Sequence, residues 1–231
     1  MQLLINIGII LASYLFGSIP FGLLVVRVIN GKDIRTIASG RTGGTNAFRA
    51  AGLGAGIFTA LLDILKAALT VWLARSLNPG NVLIHILAPV AAVLGHNHSI
   101  FLPERSFAGG FRLRGGAGGA AAFGGTLGLW PPAAIFMLPV GILLWWGVGY
   151  ASITTLSVGL ITMVLFSIRA LLGLSPWEYV LYGFLVQILL TLALLPNIRN
   201  LLAGTERRHG LPVSVQKRKE ASLSSPKQEK K

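Results

Sequence analysis

The chain has 231 residues, of which 53% are hydrophobic and only 12% are charged. This apolar excess is too large for a soluble domain and indicates a polytopic membrane protein. The net charge of +13 lies in loops and in the tail, so it indicates membrane topology and not a nucleic-acid partner. With no cysteine, a disulfide framework, a thiolate nucleophile and a thiolate-bound metal are excluded.

Uncharged apolar stretches predict about seven membrane spans, at about 20 residues per crossing. The first covers residues 3–26 and contains Gly17-Ser18-Ile19-Pro20, which predicts a kink or break near its inner end. The other spans are predicted at 52–74, 82–95, 117–130, 132–148, 152–168 and 178–196. The predicted fold class is therefore all-α, a bundle of about seven transmembrane helices within residues 1–210.

The positions of the basic residues predict the orientation of the bundle. If the N-terminus is outside, the loops after the first and third spans and the C-terminal tail are cytoplasmic. The opposite side then receives only Arg75 and Arg169. Residues 211–231 are basic and have no apolar periodicity, which predicts a disordered tail. Its cations either attract anionic lipid headgroups or serve only as an orientation signal.

Two charges, Asp63 and Lys66, fall within the second predicted span. They are three residues apart, so they share one face of a helix. An unpaired charge at that depth costs several kcal/mol, at least about 2.5 on insertion scales. We therefore expect the two to pair with each other or to face a polar cavity. A structural ion pair and a catalytic role are both open at this point.

The stretch from Ser39 to Arg49, between the first two spans, is polar, glycine-rich and cationic. Glycines let backbone N–H groups turn toward an anion, hydroxyl and amide groups add donors, and arginines supply fixed charge for phosphate. We interpret this stretch as a phosphate-binding loop. The alternative is a flexible loop whose arginines only follow membrane topology.

A second loop follows His96-Asn97-His98 and closes with a glycine-rich run from Arg114 to Gly119. Histidines two apart lie on opposite sides of a helix, so we do not expect a metal site. The glycine run precedes an alanine-rich helix start and could present N–H groups to an anion there. The alternative is packing of small residues between helices.

Taken together, these segments resemble the bacterial acyl-phosphate:glycerol-3-phosphate acyltransferases, integral membrane enzymes called PlsY. The similarity runs from about residue 17 to 210, and its specificity comes from many short matches in one order. These are Gly17-Ser18-Ile19-Pro20-Phe21-Gly22, Ser39-Gly40 with Gly43, Thr45, Asn46 and Arg49, Leu62-Asp63-Ile64-Leu65-Lys66, Gly95-His96, Arg114-Gly115-Gly116 with Gly118, Tyr150-Ala151-Ser152, Asn197-Ile198-Arg199 and the run from Leu201 to Glu206.

The resemblance implies a multi-pass enzyme of the bacterial inner (plasma) membrane that acts in phospholipid synthesis. It implies transfer of a fatty acyl group from acyl phosphate to the 1-hydroxyl of sn-glycerol 3-phosphate, which gives lysophosphatidate and inorganic phosphate. An acyl phosphate is already activated. The protein must therefore mainly bind two anions, orient the hydroxyl and stabilise developing negative charge. No cofactor is expected, and the expected partners are the two substrates and membrane lipids.

Carried over to this chain, the family pattern predicts Ser39, Arg49 and Arg114 as catalytic residues. The predicted substrate-binding residues are Gly40, Gly43, Thr45, Asn46, His96, Gly115, Gly116, Gly118 and Asn197. No side chain stands out as the general base that takes the proton of the hydroxyl group. The oxygens of the acyl phosphate or His96 are the candidates.

The chain departs from the family pattern at three positions. Arg41 stands where an asparagine is usual, Ala117 where a lysine is usual, and Leu194 where a histidine is usual. That lysine and histidine are counted among the family's functional residues. Either the chain has compensated, with Arg112 or Arg114 reaching the same phosphoryl oxygens, or it is a catalytically impaired relative that binds a phosphorylated lipid or acyl donor. A small transporter is a further alternative, although paired half-helices around a midplane site are not apparent.

Overall fold

The computed structural model describes residues 1–105 and 109–208. Its helices are α1 (Gln2–Ser18), α2 (Phe21–Asn30), α3 (Gly44–Leu77), α4 (Val82–Asn97), α5 (Gly119–Leu129), α6 (Ala133–Leu143), α7 (Ala151–Leu171) and α8 (Glu178–Leu202). A 3-10 turn spans Ile34–Thr36, and a π-helical turn, Leu144–Val148, follows α6. Strands β1 (Pro103–Arg105) and β2 (Phe111–Leu113) form an antiparallel hairpin. The predicted all-α class is confirmed, and the predicted disordered tail lies outside the described residues.

Four helical segments in the described ranges are long and apolar enough to cross a membrane: Gln2–Asn30, Gly44–Leu77, Ala151–Leu171 and Glu178–Leu202. Three shorter apolar helices, Val82–Asn97, Gly119–Leu129 and Ala133–Val148, lie at the other predicted spans. An all-helical architecture with helices of membrane-spanning length is therefore confirmed. The count of about seven crossings and the orientation stay predictions.

The first predicted span is broken between α1 and α2, at the Ile19-Pro20 pair where the sequence indicated a break. Gly17, just before it, lies so close to α4 that a Cβ atom there would collide with the backbone of Ala92. At the break, the Ile19 carbonyl accepts a hydrogen bond from Lys66 Nζ at 2.9 Å. The interruption thus gives a buried cation a backbone acceptor.

The first loop is shorter than predicted, because α3 already begins at Gly44. The run that follows is rich in helix formers such as alanine and arginine, which explains the early start. The helix is then kinked at Ala51 and Gly52, where Gly52 has φ 85° and ψ −179°. Such a positive φ is accessible mainly to glycine. The predicted start of the second span at residue 52 therefore marks this kink and not the start of the helix.

The core lies among α3, α4, α5, α7 and α8, where small residues allow close helix contacts. A Cβ atom at Gly124 of α5 would collide with the Ile64 carbonyl of α3. The Tyr182 hydroxyl of α8 donates to the Ala122 carbonyl of α5 at 2.7 Å. The small-residue packing considered for this part of the chain is present. It fixes α5, and with it the second loop, against the bundle.

Candidate active site

A cavity of about 1670 Å³ opens among the starts of α3 and α5 and the ends of α4 and α8. Every residue predicted for catalysis or substrate binding lines it. These are Ser39, Gly40, Gly43, Thr45, Asn46, Arg49, His96, Arg114, Gly115, Gly116, Gly118 and Asn197. The fold thus brings together segments that are far apart in sequence. The individual roles of these residues stay predictions.

Asn46 fixes the shape of the first loop. Its side chain is 2% exposed, and its Nδ2 donates to the carbonyls of Ile34, Ile37 and Arg41 at 3.1, 3.0 and 2.8 Å. These bonds tie the loop to the first turn of α3, so the amide hydrogens serve the protein backbone. In the same loop, exposed Ser39 has only a long contact of 3.5 Å, from the Arg41 N–H to its Oγ. That hydroxyl remains free to meet a ligand.

The second loop is fixed in a different way, by packing against the end of α4. The Gly116 N–H donates to the His96 carbonyl at 2.9 Å, so this N–H group is not available to an anion. A Cβ atom at Gly115 would collide with the carbonyls of His96 and Asn97, and one at Gly116 would collide with the His96 ring. These two glycines therefore permit close packing. Gly118, with φ 92°, turns the chain into α5.

Two helix starts, at Gly44 of α3 and Gly119 of α5, border the cavity. The first N–H groups of a helix have no acceptor within it and carry partial positive charge. Such a helix start is therefore well suited to a phosphate group. The two starts in one cavity provide two places for an anion.

Asp63, Lys66 and His96 form a buried cluster beneath the loops, with exposures of 1, 1 and 5%. Lys66 Nζ lies 2.9 Å from Asp63 Oδ1 and 3.0 Å from His96 Nδ1, and Asp63 Oδ1 lies 3.4 Å from His96 Nδ1. The expected pairing of Asp63 with Lys66 is observed. Because a charged lysine can only donate, we assign His96 Nδ1 as the acceptor of this contact and the ring proton to Nε2.

Arginines give the cavity a positive charge. The lining residues include Arg41, Arg49, Arg112, Arg114, Arg199 and Arg207. Among the described lining residues the acidic ones are Asp63, which is already paired, and Glu206. This excess of positive charge attracts anions.

The arginines of the two loops differ in what they contact. Arg114 Nε lies 2.9 Å from Glu104 Oε2 of β1, in a partly exposed ion pair. Arg49 has no hydrogen-bond or ion-pair partner within residues 1–105 and 109–208. Arg41 crosses to the last helix, where its Nη2 donates to the Ala193 carbonyl. Burial lowers the pKa of the Arg41 guanidinium.

Another part of the cavity wall is apolar. Its side chains come from the part of α3 that follows the kink and from α6. They are Leu53, Ile57, Leu61, Leu138 and Ile142. They are between 47 and 65% exposed, so this wall opens at the outer surface of the helix bundle. The rings of Phe48 and Trp145 meet edge to face beside it, with centroids 5.8 Å apart.

Comparison with known proteins identifies the family. A family model for glycerol-3-phosphate acyltransferase matches residues 7–204. The chain belongs to this family. A glycerol-3-phosphate acyltransferase of Thermus thermophilus is 38% identical over 201 residues, which cover 87% of this chain and 94% of the relative. One from Rubrobacter xylanophilus is 37% identical, with 90% and 96% covered.

A solved structure agrees with this assignment. The crystal structure of PlsY, an integral membrane glycerol 3-phosphate acyltransferase in its glycerol 3-phosphate form, superposes with a TM-score of 0.74 at 27% identity. The match covers 91% of this chain and 98% of that one. The lysophosphatidic acid form gives a TM-score of 0.71. The predicted family and its activity, acyl transfer to glycerol 3-phosphate in membrane phospholipid synthesis, are confirmed at the level of the family.

The three positions at which the sequence is predicted to depart from the family pattern all line the cavity. Ala117 and Leu194 line the cavity, as Arg41 does. Leu194 is 3% exposed and follows the residue whose carbonyl accepts from Arg41. The change from the usual residues therefore alters the wall of the cavity itself.

Some lining residues were missed by the sequence prediction. Arg199 and Arg207 were read as topology signals, although Arg199 lies within a matching motif. Glu206 was noted only as the end of a motif, and the structure shows its Oε1 accepting from Asn197 Nδ2 at 2.8 Å. The apolar wall was assigned to ordinary spans, because an apolar cavity wall and a lipid-facing helix have the same composition.

Proposed function

We propose that this protein transfers a fatty acyl group from acyl phosphate to the 1-hydroxyl of sn-glycerol 3-phosphate and releases lysophosphatidate and inorganic phosphate. The observation that carries the proposal is a single cavity with two chemically different parts. One part holds two helix starts and several arginines, and the other is apolar and open at the surface of the bundle. Two phosphoryl groups fit the first part, and a fatty acyl chain fits the second.

Within this proposal, Ser39 and Arg49 bind one phosphoryl group beside the start of α3. Arg114 and the start of α5 bind the other. Asn46 holds the first loop in shape, and the glycines of the second loop let it pack under the site. The acyl chain lies along Leu53, Ile57 and their neighbours on α6. The acyl donor can therefore enter from the membrane, while glycerol 3-phosphate enters from water.

The chemistry is direct transfer. The hydroxyl oxygen attacks the acyl carbonyl carbon, the bond from that carbon to the phosphate oxygen breaks, and the hydroxyl proton passes to an oxygen of the acyl phosphate. In the assigned tautomer His96 is poorly placed to take this proton, because its Nδ1 accepts from Lys66 and its Nε2 carries the ring proton. Positive groups around the cavity stabilise the negative charge that develops as the carbonyl is attacked.

The test is an assay of the purified protein in detergent with acyl phosphate and labelled glycerol 3-phosphate. We expect labelled lysophosphatidate and an equal amount of released phosphate. The second candidate, a binding protein without turnover, is favoured by the replaced lining residues Ala117 and Leu194. It predicts that both substrates raise the unfolding temperature while no labelled lipid forms.

The proposed topology has about seven crossings in the inner membrane, with the N-terminus outside and both glycine-rich loops in the cytoplasm. Because the chain has no cysteine, a thiol reagent can label a single-cysteine variant only at the introduced position. Exposed Lys32 and Arg105 replaced by cysteine should be protected from an impermeant thiol reagent in intact cells, and exposed Leu174 replaced by cysteine should react. Labelling of Lys32→Cys in intact cells would contradict this orientation.

A further inference from the structure

Arg41 is placed in an unusual way for a loop residue. Its backbone carbonyl accepts from Asn46 Nδ2 at 2.8 Å, which fixes the start of the side chain. Its Nη2 donates to the Ala193 carbonyl of α8, 152 positions away in the chain. The residue is therefore anchored twice, through its backbone in the first loop and through its guanidinium on α8.

The guanidinium is only half satisfied by these contacts. Nη1 is buried and has no hydrogen-bond partner in the part of the chain that the structure describes. A buried donor without a partner is costly, and more so when it carries charge. Arginine keeps its charge under such conditions, so the site cannot relieve the cost by losing a proton. A phosphoryl oxygen in contact with Nη1 would relieve it.

The other loop cation with a defined contact, Arg114, is different, since Glu104 already offsets its charge. Arg41 has no carboxylate in hydrogen-bond contact within the described ranges, and it lines the cavity. A guanidinium that is held in place before the ligand arrives loses little side-chain entropy on binding. The anchored guanidinium with a buried, unpartnered Nη1 distinguishes Arg41 from Arg114.

We infer that Arg41 is a further substrate-binding residue of the acyltransferase site, which donates from Nη1 to a phosphoryl oxygen while Nη2 stays on Ala193. This inference rests on the proposed function. The phosphoryl group is that of acyl phosphate or that of glycerol 3-phosphate, and the kinetic constants for the two substrates distinguish these sources. In both cases Arg41, which is predicted to depart from the family pattern, adds a positive charge to the cavity. The other two predicted departures, Ala117 and Leu194, add none.

The test compares Arg41→Gln and Arg41→Lys with the wild type. Glutamine keeps an N–H donor on a shorter side chain but lacks the charge and the second arm of the fork. We expect Arg41→Gln to unfold near the wild-type temperature and to raise the KM of one substrate about tenfold to a hundredfold, with a smaller change for the other. Arg41→Lys should recover part of the loss, because it keeps the charge but cannot bind both acceptors.

Binding of inorganic phosphate provides a readout that does not need turnover. In wild-type protein, phosphate should raise the unfolding temperature, and in Arg41→Gln this shift should be much smaller. The matched control is Arg35→Ala, which removes an arginine of the same segment that is paired with Asp33 outside the cavity. Its phosphate shift should equal that of the wild type.

The outcomes separate the inference from the proposed function. An inactive wild type with a phosphate shift that depends on Arg41 overturns the acyl-transfer proposal and supports the binding role. An active enzyme in which Arg41→Gln leaves both KM values and the phosphate shift unchanged overturns the inference and keeps the proposal. A lower unfolding temperature in Arg41→Gln with normal phosphate binding shows a purely structural tie to α8 and also overturns it.

Discussion

The two glycine-rich loops reach the same cavity by different means. The first is shaped by one side chain, Asn46, whose amide donates to three backbone carbonyls. The second is shaped by its glycines, which bring it against α4, and by the bond from the Gly116 N–H to the His96 carbonyl. The two loops are both rich in glycine, but different contacts hold them in shape. In the second loop the glycines serve packing, and under the proposed function the helix start and the arginines contact the anion.

The largest effect is expected from Gly116→Ala. The added Cβ atom would overlap the His96 ring, which cannot retreat because Lys66 and Asp63 contact its other side. We expect a loss of about 3 kcal/mol in the free energy of unfolding, together with loss of activity. Thermal or denaturant-induced unfolding of the protein in detergent measures this loss of stability.

Gly43→Ala is the matched control for that variant. A Cβ atom at Gly43 of the first loop meets open space, and its φ of −90° suits alanine. Its unfolding free energy should stay within about 0.5 kcal/mol of the wild type. Equal destabilisation by the two alanine substitutions would contradict the distinction between the loops.

The next effect is expected from Asn46→Ala, which removes the amide that fixes the first loop. It leaves the Ile34, Ile37 and Arg41 carbonyls without this donor, and we expect a loss of about 2 kcal/mol in stability. The control is Asn30→Ala, whose exposed Nδ2 donates to a single carbonyl, that of Ala50, at 2.8 Å. A smaller effect at Asn46 than at Asn30 would show that the amide does not shape the loop.

Much of this arrangement could be predicted from the sequence. The cost of a buried charge predicted the Asp63–Lys66 pair, which the structure shows. Charge bias predicts that both loops lie on one side of the membrane, which stays a prediction, and the structure shows both lining one cavity. The bond from Arg41 to Ala193 could not be predicted, because nothing local links residues 152 positions apart. The start of α3 at Gly44 was missed because a glycine-rich motif indicates a loop, while the residues after it favour a helix.

A moderate effect, on catalysis and not on stability, is expected from Arg49. Arg49→Ala removes a charge-assisted contact to phosphate and should lower kcat/KM about twentyfold, while Arg49→Lys recovers only part. Arg169→Ala is the control, since this arginine donates to the Leu174 carbonyl and does not line the cavity. Equal activity of the lysine and arginine forms would leave Arg49 only a role in membrane topology.

The smallest effect is expected from Ala117→Lys, alone or with Leu194→His. If the arginines already supply the charge that the usual lysine provides, wild-type protein is active and these changes alter kcat/KM by about twofold or less. Arg114→Ala should then abolish turnover. A silent wild type that gains activity from Ala117→Lys, or normal turnover in Arg114→Ala, would contradict this compensation.

The central claim is that one cavity holds both phosphoryl substrates at once and transfers the acyl group directly between them. Initial rates measured over a grid of acyl phosphate and glycerol 3-phosphate concentrations test it most directly. Binding of both substrates before reaction predicts double-reciprocal lines that intersect, with no phosphate released when glycerol 3-phosphate is absent. Parallel lines, with a burst of phosphate in the absence of the acceptor, would indicate an acyl-enzyme and contradict the account.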